Sequence, residues 1–484
     1  MQILHISAEC YPAAKAGGLG DVVGSLPKYL NQEGVPTAVV IPGYWTKWNV
    51  KQRSRIVYED HLRLGQQHLP YSVHEVLNDE LGYTLFLVDI PGKFDRPGVY
   101  ADPNGGYYGD ELERSLCFQI GVLNWLRQFH DLPSVLHCHD HHTGLIPFLI
   151  KHSPEYWNLA HIPTVFTIHN GEYHGAFSWN NRHLLPAFPP EAGGLIEWKN
   201  TINPLASGIK NSWMVTTVSP SYLNELGSNS NGLEWLLNNE RHKSVGILNG
   251  IDTQVWDPKT DAYLHARLEN DDVAKFKAEN RAILNQRFRI HPDLPLITFI
   301  GRLVREKGAD LIPDVIKTFL YYGHKAAFVV LGTGDSWVEN SFRHMQHHLT
   351  GNFDAALEYN EGLAHQLYAG SDFLLMPSRV EPCGLNQMYA MRYGTVPIVR
   401  SVGGLRDTVP DIGEAGDSGR GIRFDQFSVD DAFVACYRAS EVYKNQIYLK
   451  RLRQRIMNVD LSWEQSAQQY IQVYQQVLGV HVGI

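Results

Sequence analysis

Cations and carboxylates set beside glycine turns are the groups in this sequence best suited to chemistry. Lys15 leads the segment Lys15-Ala16-Gly17-Gly18-Leu19-Gly20-Asp21. Adjacent glycines let a backbone approach a ligand with no Cβ in the way. The N–H groups and positive dipole end of a following helix suit a pyrophosphate, and Lys15 adds a mobile charge. A plain structural turn would use the same glycines. The loop does not read GxxxxGK[ST], which excludes a P-loop, and no downstream acid is placed to hold the ribose of a nicotinamide cofactor.

Two further segments carry complementary chemistry. In Phe299-Ile300-Gly301-Arg302-Leu303-Val304-Arg305-Glu306-Lys307-Gly308, a strand ends at Gly301 and two cations, Arg302 and Lys307, flank the turn before the next helix. Such a pair can hold a leaving diphosphate and neutralise its growing charge; a solvated charged turn has the same composition. In Pro377-Ser378-Arg379-Val380-Glu381-Pro382-Cys383-Gly384-Leu385, Glu381 follows an apolar strand and precedes a glycine-led helix. A carboxylate there can accept hydrogen bonds from sugar hydroxyls or steady an oxocarbenium-like centre. It can equally complement the helix dipole.

The run His137-Cys138-His139-Asp140-His141-His142 offers metal ligands. Strand alternation sends neighbouring side chains to opposite faces, so these groups are not all expected to converge. No metal site is expected, and Asp140 is read as a polar edge group. His169 and Asn170 follow the strand-like Val165-Phe166-Thr167-Ile168 and reach the same edge, although a buried structural histidine also fits.

The scaffold that must position these groups is legible as short β-branched runs alternating with helical patterns. Strands are expected at 2–7, 37–41, 83–89, 134–138, 164–168 and 214–218, then at 245–248, 296–300, 327–331, 373–376 and 396–399. That alternation predicts an α/β fold of two Rossmann-like doubly wound domains. Ligands in such sheets sit outside the carboxyl ends of strands, so the two units are expected to face a central cleft. Turn formers after Gly246-Ile247-Leu248-Asn249-Gly250 divide the chain into 1–245 and a second half from 246. The heptads from Gly17 and from Gly403 both read GGLxDxV, and the expectation is one physical device used twice.

Composition narrows the class. At 484 residues, 44% hydrophobic and 19% charged, the chain can bury more than one core. A net charge of -9 argues against a general nucleic-acid binder. Five scattered cysteines indicate neither a disulfide framework nor a zinc site. No apolar run approaches the roughly 20 residues that span a bilayer, and the opening residues read as a strand rather than a signal peptide. A soluble, cytoplasmic protein with no membrane or nucleic-acid partner is expected.

Taken together, these segments resemble the bacterial glycogen synthase and plant starch synthase family. The likeness runs in order through Glu9-x-x-Pro12-x-x-Lys15-x-Gly17-Gly18-Leu19-Gly20-Asp21, His139-Asp140, Phe166 to Asn170, Thr217 to Pro220, Gly246 to Asp252, Gly301 to Gly308, Pro377 to Val409, and Leu461-Ser462-Trp463. It implies the GT-B fold, with a second domain over 246–460 and a terminal helix, 461–484, crossing back to the first domain. It also implies retaining transfer of glucose from ADP-glucose to an α-1,4-glucan, with no metal or other cofactor. By resemblance, Lys15, Arg302 and Lys307 contact the donor phosphates, joined by amides at Gly17, Gly18, Gly403, Gly404 and Leu405. The carbonyl of His169 and the carboxylate of Glu381 flank the donor glucose, Tyr359 packs beside the adenine, and Cys383, Gly384 and Leu385 complete the donor side. Glu9, Asp140 and Asn170 lie toward the acceptor.

Four positions depart from the family pattern: His174, Ala206, Glu111 and Ser115. All precede the donor-side motifs, so acceptor preference is where this chain is expected to differ. The alternatives are a sucrose- or trehalose-type GT-B transferase and a catalytically weak glucan-binding homologue. The KxGGLxD loop and the Cys383-Gly384 pair favour the glucan synthases.

Overall fold

The computed structural model describes residues 1–102, 106–414 and 416–479. The chain divides into two compact units. The first takes residues up to Val218, Leu223–Asn249 and the segment from Trp463 onward; the second takes Ser219–Tyr222 and Gly250–Ser462. The main division therefore follows Asn249, not residue 245.

In the first unit, strands β1 (Ile3–Ile6), β2 (Thr37–Pro42), β3 (Ser54–Leu64), β4 (Gln67–Val76), β5 (Thr84–Asp89), β6 (Val135–His139) and β7 (Thr164–Ile168) enter one sheet. A separate two-stranded ribbon pairs β8 (Glu197–Trp198) with β9 (Thr201–Ile202), and β10 (Met214–Thr217) and β11 (Ser244–Gly246) complete the large sheet. Its order is β11-β10-β7-β6-β1-β2-β5-β4-β3. Pairing is parallel except where β4 meets β3 and β5. The antiparallel ribbon β3/β4 was not expected from sequence. Its outer strand is mostly exposed, so Arg55, Glu59, Asp60 and Arg63 carry no apolar run. The strand expected at 245–248 among those of the second half is β11, and it pairs with β10 of the first sheet, Thr217 opposite Gly246.

The second unit holds a wholly parallel sheet. It comprises β12 (Leu296–Ile300), β13 (Ala327–Leu331), β14 (Phe353–Ala356), β15 (Phe373–Met376), β16 (Val396–Arg400) and β17 (Ile422–Phe424), in the order β14-β13-β12-β15-β16-β17. Neither β14 nor β17 was expected; each is an edge strand of three or four residues, too short to show a period.

The terminal helix Trp463–Val477 belongs to the first unit. Trp463, Ala467, Tyr470, Tyr474 and Val477 recur at helical spacing on one buried face. They pack with Val22, Leu26, Tyr29 and Leu30 of helix Gly18–Gln32 and with Ile3, Val135 and Val165 of the sheet. Burying a side chain of that size contributes about 1.5–3 kcal/mol, which anchors the terminal helix firmly. Among the described residues, no helix is long and apolar enough to cross a membrane.

Candidate active site

In the second unit the sequence-predicted groups gather at the carboxyl ends of β12 and β15. A 3₁₀ turn, Arg305–Lys307, closes on Gly308 in the left-handed region. Arg379 holds this turn, pairing with both carboxylate oxygens of Asp310 at 2.6 and 2.8 Å and donating to the Arg305 carbonyl. Lys307 Nζ then donates to Glu381 Oε1 at 2.7 Å, and Ser378 Oγ donates to Oε2 at 2.9 Å. The Glu381 carboxylate is buried and takes a charge-assisted bond from one side and a hydroxyl from the other. Arg302 and Lys307 both approach the Glu306 carboxylate, Lys307 Nζ at 3.7 Å. The Arg302 guanidinium is largely exposed and sits 3.6 Å from Glu306.

Beside Glu381, residues 381–383 lie against the start of helix Gly403–Thr408. The Gly404 amide donates to the carbonyls of Glu381 and Pro382, each at 3.1 Å, and the Leu405 amide to Val402 at 3.0 Å. These amides, expected to join the donor phosphates, already have acceptors within the chain. A Cβ on Gly404 would meet the Cys383 carbonyl at 2.1 Å, and one on Gly403 the Glu381 carbonyl at 2.0 Å. The glycines are there so that two backbones can touch. Gln387 Nε2 ties the carbonyls of Cys383 and Gly384 to Thr408 Oγ1. Cys383 is buried, Gly384 takes a positive φ, and Leu385 caps helix Asn386–Arg392. Tyr359 lies between β14 and helix Glu361–Gly370, with its ring exposed.

The first unit's glycine loop is built differently. Among the described residues a Cβ on Gly17 or Gly18 would meet nothing within 4 Å, so no neighbour there demands these glycines. The expectation of one device used twice fails on this contrast. Glu9, buried at 3% exposure, accepts the amides of Ala16 and Gly17 at 2.6 and 2.9 Å on Oε2, and the Tyr100 hydroxyl at 2.8 Å on Oε1. The next amides, Gly18 and Leu19, open the helix, where the first N–H groups have no intrahelical acceptor. Lys15 Nζ bonds Asp21 Oδ1 at 2.6 Å across the loop.

Asp140 repeats what Glu9 does. Its Oδ1 accepts the His169 amide at 2.7 Å and the Asn170 amide at 3.5 Å, pinning the loop after β7. The residue sits at a φ of 54° and a ψ of −178°, outside the left-handed helical region and strained for any residue but glycine. Burial pushes its carboxyl from 3.8 up to about 7, against those two amide bonds and with help from the Glu9 charge. Asn170 in turn accepts the Glu172 amide. Glu9 and Asp140, expected toward the acceptor, are thus placed as buried clamps on the two loops.

Sequence reading missed His5. It lies opposite His137 in the β1/β6 register, and His137 and His139 share a face at period two. His5 Nδ1 meets His139 Nε2 at 2.9 Å, and His139 Nδ1 meets His169 Nε2 at 2.9 Å. The alternation of β6 and the position of β1 beside it carried that signal. Burial is the first cause lowering all four imidazoles: His5 and His169 to about 3, His137 and His139 well below the ordinary value. Ring nitrogens of His5, His137 and His139 come within 4.8 Å of one another, but internal hydrogen bonds occupy them. Of the departing positions, His174 Nε2 donates to the carbonyls of Gly171 and Ser230 while Nδ1 faces the Asn203 amide. Ala206 is buried one turn into helix Pro204–Asn211. Glu111 lies with His141 and His142 in a second group whose ligand atoms approach within 4.8 Å.

Comparison with known proteins places this geometry. Residues 2–239 match the family model described as the starch synthase catalytic domain, and residues 280–436 match glycosyl transferases group 1. The chain is 47% identical to a glycogen synthase of Flavobacterium johnsoniae over 481 residues, covering 99% of each. It is 35% identical to a glycogen synthase of Streptococcus mutans, covering 99% of this chain and all of that one. Among solved structures, the catalytic domain of starch synthase IV from Arabidopsis thaliana, bound to ADP and acarbose, superimposes with a TM-score of 0.88 at 30% identity, covering 99% of both. Sucrose-phosphate synthase from Thermosynechococcus elongatus shares the fold, with a TM-score of 0.61 at 16% identity over 99% of this chain and 100% of that one.

Proposed function

The chain belongs to the glycogen and starch synthase family, and from that premise we propose that it transfers glucose from ADP-glucose to the non-reducing end of an α-1,4-glucan with retention of configuration. The observation that carries this reading is the Lys307–Glu381–Ser378 constellation at the carboxyl ends of β12 and β15, in a chain similar to glycogen synthases over 99% of its length. ADP in the starch synthase IV structure supports an adenine nucleotide as donor.

In the reaction, the bond from the anomeric carbon to the phosphate oxygen breaks and one to the acceptor 4-hydroxyl oxygen forms. The hydroxyl proton passes to the departing diphosphate. Lys15, Arg302 and Lys307 are assigned to that diphosphate, with the Gly17-Gly18 loop beside Lys15. Glu381 and the His169 carbonyl are assigned to the donor glucose, and Tyr359 to the adenine. Glu381, already paired with Lys307 and Ser378, suits holding a cationic sugar centre better than bonding to it. Attack is therefore assigned to the face the diphosphate leaves. Glu9, Asp140 and Asn170 serve the acceptor side through the loops they hold. The enzyme works without a metal, in the cytoplasm, with a nucleotide sugar and a glucan as partners.

The test is incubation of the purified chain with glycogen and labelled ADP-glucose or UDP-glucose, with and without EDTA. Polymer labelling from ADP-glucose, unchanged by EDTA, is expected. Glycogen binding with no labelling from either donor would favour the non-catalytic homologue, and EDTA inhibition would bring the Glu111, His141 and His142 group into the reaction.

A further inference from the structure

His169 is the outer end of a longer buried chain. His5 Nε2 meets the Tyr474 hydroxyl at 3.4 Å, and that hydroxyl meets His137 Nδ1 at 2.7 Å. His137 Nε2 meets Thr167 Oγ1 at 2.6 Å, and Thr167 Oγ1 meets Thr216 Oγ1 at 2.5 Å. Joined to the His5–His139–His169 bonds, this makes one continuous run from Thr216 to His169, all within the first unit. Every member is buried.

The protons in this run are not independent. Burial keeps all four imidazoles neutral, so each has one N–H and one lone pair. A bond between two ring nitrogens needs one of each, which forces His5, His139 and His169 to the same tautomer. The Tyr474 hydroxyl donates once. If it donates to His5 Nε2, His137 must donate to it from Nδ1; if it donates to His137 Nδ1, His5 must donate from Nε2. Either all four histidines carry the proton on Nδ1 or all four carry it on Nε2.

The far end decides between the two. In the Nε2–H order, Thr167 donates to Thr216, whose hydroxyl hydrogen is then fully buried with no acceptor among the described residues. An unmade buried bond costs about 1–3 kcal/mol. In the Nδ1–H order, Thr216 donates to Thr167 and the one hydrogen left over is on His169 Nδ1, at the end of the run; His169 is 8% exposed where Thr216 is 0%, so that hydrogen can be taken by water or a ligand.

We propose that His5, His137, His139, Tyr474, Thr167 and Thr216 are positioning residues that hold His169 as an Nδ1–H donor toward an oxygen of the carbohydrate substrate. The substrate half of this statement rests on the transferase reading above; the tautomer half does not. Tyr474, on the terminal helix, thereby joins the site's electrostatics without touching substrate.

Long-range ¹H–¹⁵N correlation spectra of the labelled full chain, without substrate, report each imidazole tautomer, with assignments from single histidine variants. Nδ1–H is expected for His5, His137, His139 and His169 alike. A resolved Nε2–H form at any of the four overturns the proposal. Tyr474→Phe breaks the link between His5 and His137, and Thr167→Val removes the hydroxyl that His137 Nε2 accepts from. Either should leave the fold intact by circular dichroism, mix the tautomers of the remaining histidines, and raise the ADP-glucose KM about three- to tenfold, the worth of one hydrogen bond, with kcat within about twofold. Fixed tautomers in both variants would overturn the coupling. Mixed tautomers with unchanged KM would overturn the role in substrate binding, and a chain lacking transfer altogether would still show the tautomer pattern.

Discussion

Lys307 and Glu381 form a partly buried ion pair, Nζ to Oε1 at 2.7 Å, at the ends of neighbouring strands β12 and β15. Each residue was assigned a substrate contact of its own, yet the lysine also fixes the carboxylate. Removing Lys307 leaves Glu381 buried with the Ser378 hydroxyl as its side-chain hydrogen-bond partner. Lys307→Ala should therefore lower the melting temperature more than Glu381→Gln, since an uncompensated buried charge costs more than a lost pair. Differential scanning fluorimetry of both variants and the double variant measures this, and equal shifts would remove the structural part of the lysine's role.

Catalysis gives a separate readout. Lys15→Ala, Arg302→Ala and Glu381→Ala should each lower incorporation of labelled glucose by about 10²–10³, the usual scale for a lost charge-stabilising contact. Near-normal incorporation by all three would displace the site assignment.

Glu9 separates two substitutions that look alike. Glu9→Gln keeps an oxygen for the Ala16 and Gly17 amides and turns an N–H toward Tyr100, whose hydroxyl can accept as well as donate. Glu9→Ala leaves both amides and the tyrosine unpartnered. Donor KM should change less than about threefold for the glutamine variant and by about tenfold or more for the alanine variant.

The raised Asp140 carboxyl predicts a pH signature. Between its ordinary value near 3.8 and about 7, the folded chain keeps this proton while the unfolded chain has released it. Stability from this group therefore falls as pH rises through that window, and the loss is complete above it. Asp140→Asn keeps the acceptor for the His169 amide and a side chain of the same size at this backbone position. The melting temperature of the variant minus that of the parent should climb from about pH 4.5 to about pH 7.5 and then flatten; a flat difference would mean that Asp140 is ionised throughout.

The glycine loops predict opposite outcomes for one substitution. Gly404→Ala drives a methyl into the Cys383 carbonyl and should cost both stability and activity. Gly18→Ala meets nothing within 4 Å among the described residues, so its melting temperature should hold while the donor KM rises. A stability loss at Gly18 equal to that at Gly404 would contradict the geometry.

Local periodicity and motif chemistry determined a good deal by themselves. The short apolar runs ending at Ile300 and Met376 announced parallel strands, and Lys307 and Glu381 at their carboxyl ends followed from where such sheets bind ligands. Apolar positions from Trp463 to Val477 spell out a one-sided helix. Tertiary structure alone decided which side chains become partners. Crossover connections set β1 between β2 and β6, which brings His5 to His137 and His139, and the terminal helix brings Tyr474 to His5. The same placement turned Glu9 and Asp140 from candidate substrate ligands into clamps on the loops at Gly17 and His169. A sequence records what each element must bury, because burial repeats along the element. A hydrogen bond between elements depends on which strands become neighbours, and that is settled only when the sheets assemble.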